Sequence, residues 1–184
     1  IGTSYGLNKY NLSSNFNKRF YETKDSNTLN SNYINDLFFV DKKYSSGKIA
    51  IANKILAATQ NGLTIINPEN NEINNYESLK NTNIYNTFSV DDDIIIHSEE
   101  GLFVIDKIDE SRISLRKISN TSGYGKTRKI TDNEFILYTP LSNNFKRIIK
   151  NKNDYFDVNV SMSNELRIND VRNFKGAYYI STES

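Results

Sequence analysis

Few side chains in this sequence of 184 residues are equipped for catalysis. There is one histidine and no cysteine, which excludes histidine zinc sets, thiolate metal sites, disulfide frameworks and most histidine-based triads. His97 stands in an apolar run, Ile95-Ile96-His97-Ser98, and reads as a hydrogen-bonded structural residue rather than a general base or metal ligand. Asp91-Asp92-Asp93 offers oxygen ligands for calcium, but no EF-hand spacing follows, and a solvated turn is expected. Glu99-Glu100, beside Gly101, could supply the carboxylate pair of a glycoside hydrolase, yet adjacent strand residues point to opposite sides. Lys126, Arg128 and Lys129 with Tyr124 form the most basic stretch; strand alternation divides their charges between faces, and the acidic residues that follow dilute them. The Asn-x-Ser/Thr triplets at Asn11, Asn120 and Asn159 are frequent by chance in an Asn-rich chain. The expectation is a non-catalytic protein without cofactor or metal.

Composition narrows the class further. Lys plus Arg is 23 against 22 for Asp plus Glu, a net charge of +1, so there is no field to draw in a nucleic acid. Apolar residues make up 37%, and the mean hydropathy of -0.61 gives no membrane-spanning segment. Asn and Ile are the most frequent residue types, and aromatics reach 12% with no Trp; this β-branched, turn-rich mixture suits short strands joined by polar turns. The chain opens at Ile1-Gly2-Thr3 with no signal peptide or anchor, and is expected to be an excised piece of a longer protein.

The elements that position these residues recur. Thr3-Ser4-Tyr5-Gly6-Leu7 aligns with Thr59-Gln60-Asn61-Gly62-Leu63 and Ser98-Glu99-Glu100-Gly101-Leu102, and a degenerate copy follows at Thr139-Pro140-Leu141. The three glycines lie about 56 and then about 39 residues apart. A short apolar run precedes each of the last three copies, Ile55-Leu56-Ala57-Ala58, Ile94-Ile95-Ile96-His97 and Phe135-Ile136-Leu137-Tyr138, and recurs at Tyr178-Tyr179-Ile180. Another strand is expected ahead of each run, at 32–40, 84–90, 124–130 and 166–171, with polar turns between, at 41–48, 91–93, 131–134 and 173–176. One period therefore holds four strands, in order A, B, C and D. Four antiparallel strands per roughly 40 residues is the signature of a β-propeller blade.

The fold expected is all-β: a propeller segment of about four blades, with repeats at approximately 1–58, 59–97, 98–138 and 139–184 in a single unit. Residues 49–52 make the first period longer, as an insertion or as a lengthened B strand. Cut strand edges would favour a homodimer.

The segment Ile1-Gly2-Thr3-x-x-Gly6-Leu7-x-x-Tyr10-Asn11, with Thr28-Leu29-Asn30-Ser31-Asn32-Tyr33-Ile34-Asn35-Asp36-Leu37, resembles the two-component regulator propeller repeat. The resemblance is strong through Tyr76, moderate to Ile118 and weak beyond. It implies an arc of a seven-bladed propeller, in the periplasmic or extracellular sensor region of a bacterial histidine kinase, hybrid two-component protein or diguanylate cyclase. Membrane linkage would run through segments outside this chain. The chain departs from the family in lacking the usual Trp of strand B, where Ala57, Ile96 and Leu137 stand instead, and in replacing Gly-Leu by Pro140-Leu141.

The function expected is extracytoplasmic sensing of a ligand, with an oligosaccharide as the favoured class. The alternative is a platform for protein–protein interaction. The candidate ligand residues are Tyr5, Asn61 and Glu100, at equivalent B–C turn positions, which offer an aromatic face, an amide and a carboxylate of the kind sugar recognition uses. The turn glycines and the hydroxyl residues three positions earlier are expected to shape the turn, the hydroxyls by bonding backbone.

Overall fold

A strand buried on both faces has no reason to alternate apolar with polar residues, and the continuous apolar runs noted above are such strands. The computed structural model describes residues 1–14, 16–23, 28–40, 51–109, 112–163, 166–174 and 177–183. They form an all-β structure of successive antiparallel sheets, with one 3-10 turn at Glu77–Leu79. The first sheet has three strands, β1 (Gly2–Thr3), β2 (Gly6–Asn11) and β3 (Phe16–Phe20).

Three four-stranded meanders follow. The second sheet is β4 (Ile34–Val40), β5 (Lys54–Thr59), β6 (Gly62–Ile66) and β7 (Ile73–Asn75). The third is β8 (Ile84–Val90), β9 (Asp93–Ser98), β10 (Gly101–Ile108) and β11 (Ile113–Ser119), and the fourth is β12 (Lys126–Lys129), β13 (Glu134–Tyr138), β14 (Asn144–Asn151) and β15 (Asp154–Ser161). The fifth sheet pairs β16 (Arg167–Phe174) with β17 (Ala177–Glu183). In each four-stranded sheet the strands lie in chain order, so the expected A-B-C-D unit is present three times, each as a blade-like meander.

Successive sheets stack face to face, and the period of two in the B strands divides each apolar run between two cores. Ala57 packs toward the first sheet with Leu7, Phe20 and Ile66, whereas Leu56 and Ala58 join Ile94 and Ile96 between the second and third sheets. Ile95 turns the other way, meeting Phe135, Leu137 and Ile148 between the third and fourth. Ile136 and Tyr138 in turn pack with Ile168 and Val171 of the fifth. Ile94, Ile95, Ile96, Phe135 and Ile136 are all wholly buried, each worth about 1.5–3 kcal/mol of transfer free energy.

Three expectations shift by a few residues. The first strand of each sheet from the second onward, here called its inner strand, begins in the fourth sheet at Lys126 and not at Tyr124, because Gly123, at φ +90°, turns the chain just ahead of it. The last inner strand, expected at 166–171 with a turn at 173–176, is β16 and runs from Arg167 through Phe174. The turn at 41–48 and residues 49–50 lie outside the described residues, as do 175–176. Ile51 and Ala52 stand ahead of β5 and are not part of it: the Lys54 amide bonds the Ile51 carbonyl, and the Asn53 amide that of Val40.

The three Thr/Ser-x-x-Gly turns share one hydrogen-bond pattern, as their spacing suggests. Thr3 Oγ1 donates to the Gly6 carbonyl (2.8 Å) and accepts from the Tyr5 amide (3.0 Å). Thr59 does the same with Gly62 and Asn61, and Ser98 with Gly101 and Glu100. These hydroxyls are spent on backbone, which is the structural role expected of them. At the degenerate copy Thr139 Oγ1 reaches instead to the Tyr124 carbonyl, and Leu141 takes φ +67°.

Candidate functional site

The inner strands carry a recurrence of their own, Ile34-Asn35-Asp36, Ile84-Tyr85-Asn86 and Ile168-Asn169-Asp170. In each case the pairing with the B strand slips by one residue after the Ile, at Ile34/Asp36, Ile84/Asn86 and Ile168/Asp170, so a β-bulge precedes every Asp or Asn. The bulge re-aims that side chain toward a neighbouring sheet. Asp36 Oδ2 accepts from the Thr87 amide of the third sheet (2.9 Å). The Asn86 amide donates to the Gly125 carbonyl (3.1 Å) and accepts from Thr127 (3.3 Å) on the fourth.

Asp170 ties the fifth sheet back to the fourth through Arg128 Nε (3.2 Å) and Tyr138 OH (2.9 Å). Partial burial would raise the Asp170 carboxyl, but the bonds from Tyr138, the Val171 amide and Arg128 outweigh it and hold its pKa down to about 2. The motif is short and polar and reads locally as a strand end. Only its third occurrence at the same phase distinguishes it from chance.

Between β4, β8 and β12 the inner edges leave an open cleft of about 570 Å³. Asn35 and Asp36 line one side, Tyr85 and Thr87 the centre, and Tyr124 and Lys126 the other side. The Tyr85 and Tyr124 rings meet edge to face, 5.8 Å between centroids at 89°. Burial, with Glu99 nearby, raises the Tyr85 phenol above its ordinary value. Asn35 is held in place by donating to Asn83 Oδ1 (2.9 Å) and the Ile84 carbonyl (2.7 Å).

Behind Tyr85, His97 is wholly buried, its ring 5.1 Å from that of Tyr85. Asn86 is oriented by its bonds to Gly125 and Thr127, so its amide faces His97 Nδ1 at 3.4 Å, which makes Nδ1 the acceptor and leaves the ring proton on Nε2. Desolvation lowers the His97 pKa to about 4, against a smaller opposing pull from the Gly123 backbone. His97 is thus a neutral core residue that supports the cleft wall, in keeping with the structural role expected of it.

The three turn residues singled out by their spacing lie on three different sheets. Tyr5 is 73% exposed at the β1–β2 turn, and Glu100 is exposed at the β9–β10 turn. Asn61 is half-buried, donates to the Asn30 carbonyl (3.2 Å) and lines a separate recess of about 440 Å³ with Asn30, Asn75 and Lys80. Glu99 accepts from the Asn83 amide (2.8 Å), and with Glu100 stays on the surface as expected of the pair. In the basic stretch Lys129 pairs with Asp132 (2.8 Å), while Lys126 and Arg128 both line the cleft, the sharing of a face that alternation imposes on positions two apart.

The acidic turn is more than solvated. Lys150, its side chain only 10% exposed, reaches from β14 to Asp91 and Asp93, at 3.1 Å each, and Tyr155 donates to Asp93 (2.7 Å). Burial alone would lower the Lys150 ammonium, but the hydrogen bonds it donates to the two carboxylates raise it on balance. A resident cation already pairs with two of the three carboxylates of this turn, and among the described residues no group of three His, Asp or Glu side chains is placed to hold a metal. Lys150→Met is expected to lower stability by about 1 kcal/mol, measured by urea unfolding, with Asp91→Asn in the same chain recovering part of it.

No known protein-family model matches the chain, and no curated protein sequence matches it. The class defined by fold and site is therefore an all-β protein of stacked four-strand meanders with a polar, aromatic-lined cleft at its inner strand edges.

Proposed function

We propose that the chain is a β-propeller segment that binds an extracellular ligand without transforming it, as the sensor region of a bacterial signalling protein, with a carbohydrate as the ligand. The observation that carries this reading is the cleft between three consecutive inner strands, where two tyrosine rings stand among amides, a carboxylate and an ammonium. Aromatic faces with convergent hydrogen-bonding groups are what a sugar ring requires. The face-to-face stacking of repeated A-B-C-D meanders supports the propeller, and the resemblance to two-component regulator repeats supports the signalling role, the extracytoplasmic location and a larger seven-bladed ring. Ligand binding would act by favouring one packing of the sheets over another and so one state of the attached output domain.

Thermal unfolding in the presence of an oligosaccharide panel tests this. A bound sugar at roughly a hundredfold above its Kd is expected to raise the midpoint by about 5 °C or more. A panel with no shift at millimolar concentration sinks the sensor reading.

The second reading, a protein-interaction platform, is favoured by one observation: an apolar recess of about 370 Å³ between the first two sheets, rimmed by Tyr10 at 56% and Leu12 at 95% exposure. Its mark would be a partner retained in a pull-down and lost on Leu12→Asp, with no response to sugars. Homodimers through open strand edges belong to the same proposal, and light scattering at several concentrations reads them directly.

A further inference from the structure

We propose that the inner-strand cleft takes an acidic sugar, a pyranose bearing a carboxylate, with the ring against Tyr85 and Tyr124 and the carboxylate on Lys126. This rests on the carbohydrate-sensor reading and specifies its site and ligand class.

Four observations converge on it. First, Lys126 is exposed at the cleft and its ammonium has no hydrogen bond or ion pair among the described residues, whereas Lys129 and Lys150 are each committed to carboxylates. Two cations, Lys126 and Arg128, and one carboxylate, Asp36, line the cleft. Arg128 is paired with Asp170, and Asp36 accepts the Thr87 amide. Lys126 is therefore the lining cation without a carboxylate partner among the described residues, and its natural counterpart is an anion.

Second, neither the Tyr85 nor the Tyr124 phenol has a hydrogen-bond partner among the described residues, although Tyr85 is half-buried. Two unused hydroxyls beside two rings suit a ligand that combines C–H faces with hydroxyls. Third, Thr87 Oγ1, on a lining residue, is buried and has no hydrogen-bond partner among the described residues. Unpaired buried polar atoms are rare in folded proteins, and one on the cleft wall marks a place where a ligand or the water it orders completes the bonding.

Fourth, Tyr124 is flanked by Gly123 and Gly125. At Gly123 a Cβ would meet nothing within 4 Å, while at Gly125 it would fall 2.8 Å from Leu137 Cδ1 and 3.4 Å from His97 Cε1. The backbone on one side of Tyr124 is packed against the core and on the other side is open.

Isothermal titration of the chain, at low and at 0.5 M salt, with uronate disaccharides, the corresponding neutral disaccharides and acetate tests the inference. Uronates are expected to bind, neutral sugars to bind about tenfold or more weakly, and acetate to give no heat. Lys126→Met should weaken the uronate about tenfold, as should 0.5 M salt in part, and weaken neutral sugars less. Tyr124→Ala should weaken both sugars, and Glu100→Gln neither. Far-UV circular dichroism and unfolding midpoints establish that the variants are folded, and Lys126→Gln gives a second, milder test at the same position. Equal binding of neutral and acidic sugars, indifferent to Lys126→Met, overturns the acidic-sugar inference while the sensor reading stands. Acetate binding as tightly as the uronates overturns it in favour of a bare anion site. No binding of any sugar removes the sensor reading with it.

Discussion

Gly101→Ala is expected to lower the unfolding free energy by about 3 kcal/mol, enough to unfold a marginal domain at moderate temperature. Gly6, Gly62 and Gly101 take φ of +110°, +117° and +132°, a conformation that a side chain strains in any setting. A second cause is common to all three. A Cβ would fall 2.4 Å from the Phe20 carbonyl oxygen at Gly6, 2.7 Å from that of Leu79 at Gly62, and 2.4 Å from that of Ser119 at Gly101. Each of these oxygens belongs to backbone at or beyond the outer end of the same sheet, and it cannot rotate away as a side chain could. The glycine is therefore required by the turn and by the close approach of another backbone segment.

Gly123→Ala separates the two effects. At φ +90° with nothing within 4 Å, it should cost only the conformational part, about 1 kcal/mol. Urea unfolding of the two variants beside the parent chain reads the difference, and equal losses would show that the close approach carries no weight.

The Thr/Ser-x-x-Gly turns and the apolar B strands were legible in the sequence because their causes are local. A turn needs its glycine within a few residues, and a strand buried on both faces shows as an unbroken apolar run. The outer strands were less plain: β15 is largely exposed, so Asp154 to Ser161 carries little hydrophobic signal of its own. What sequence could not supply were partners brought together by stacking. Lys150 lies 59 residues from Asp91, so the turn looked merely solvated when two of its carboxylates are paired with a lysine of the next sheet. The candidate cleft was hidden for the same reason. Asn35 and Tyr85 sit on β4 and β8 and Tyr124 just ahead of β12, positions that no pattern within one strand connects, whereas Tyr5, Asn61 and Glu100 stood out because their turns repeat. The Ile-x-Asp/Asn recurrence was present to be found, but the bulge that gives it meaning is a feature of pairing register.

His97 is expected to make stability depend on pH over a window of its own. In the folded chain its pKa is lowered to about 4, whereas an unfolded histidine titrates near 6.5. As pH falls below about 6.5 the unfolded state takes up a proton that the folded state refuses, so stability declines from there down to about 4 and this contribution is then fully lost. The gap corresponds to about 3 kcal/mol at most. The depressed carboxylates act elsewhere: Asp170, at about 2 in the fold, holds its contribution above the ordinary aspartate value and loses it only as pH drops from about 4 toward 2. Glu134, lowered on balance by Arg147 and Tyr178 against the effect of burial, moves in the same direction.

With one histidine in the chain, a slope between pH 6.5 and 5 therefore belongs to a single side chain. Urea midpoints at pH 7, 6 and 5 should fall steadily in the parent and stay level in His97→Phe, which keeps a ring against Tyr85 and removes the titrating nitrogens. The same substitution should leave stability at pH 7 within about 1 kcal/mol of the parent, because a neutral ring replaces a neutral ring. A parent chain level from pH 7 to 5 would mean that the imidazole reaches solvent, and with it that the wall behind Tyr85 opens readily.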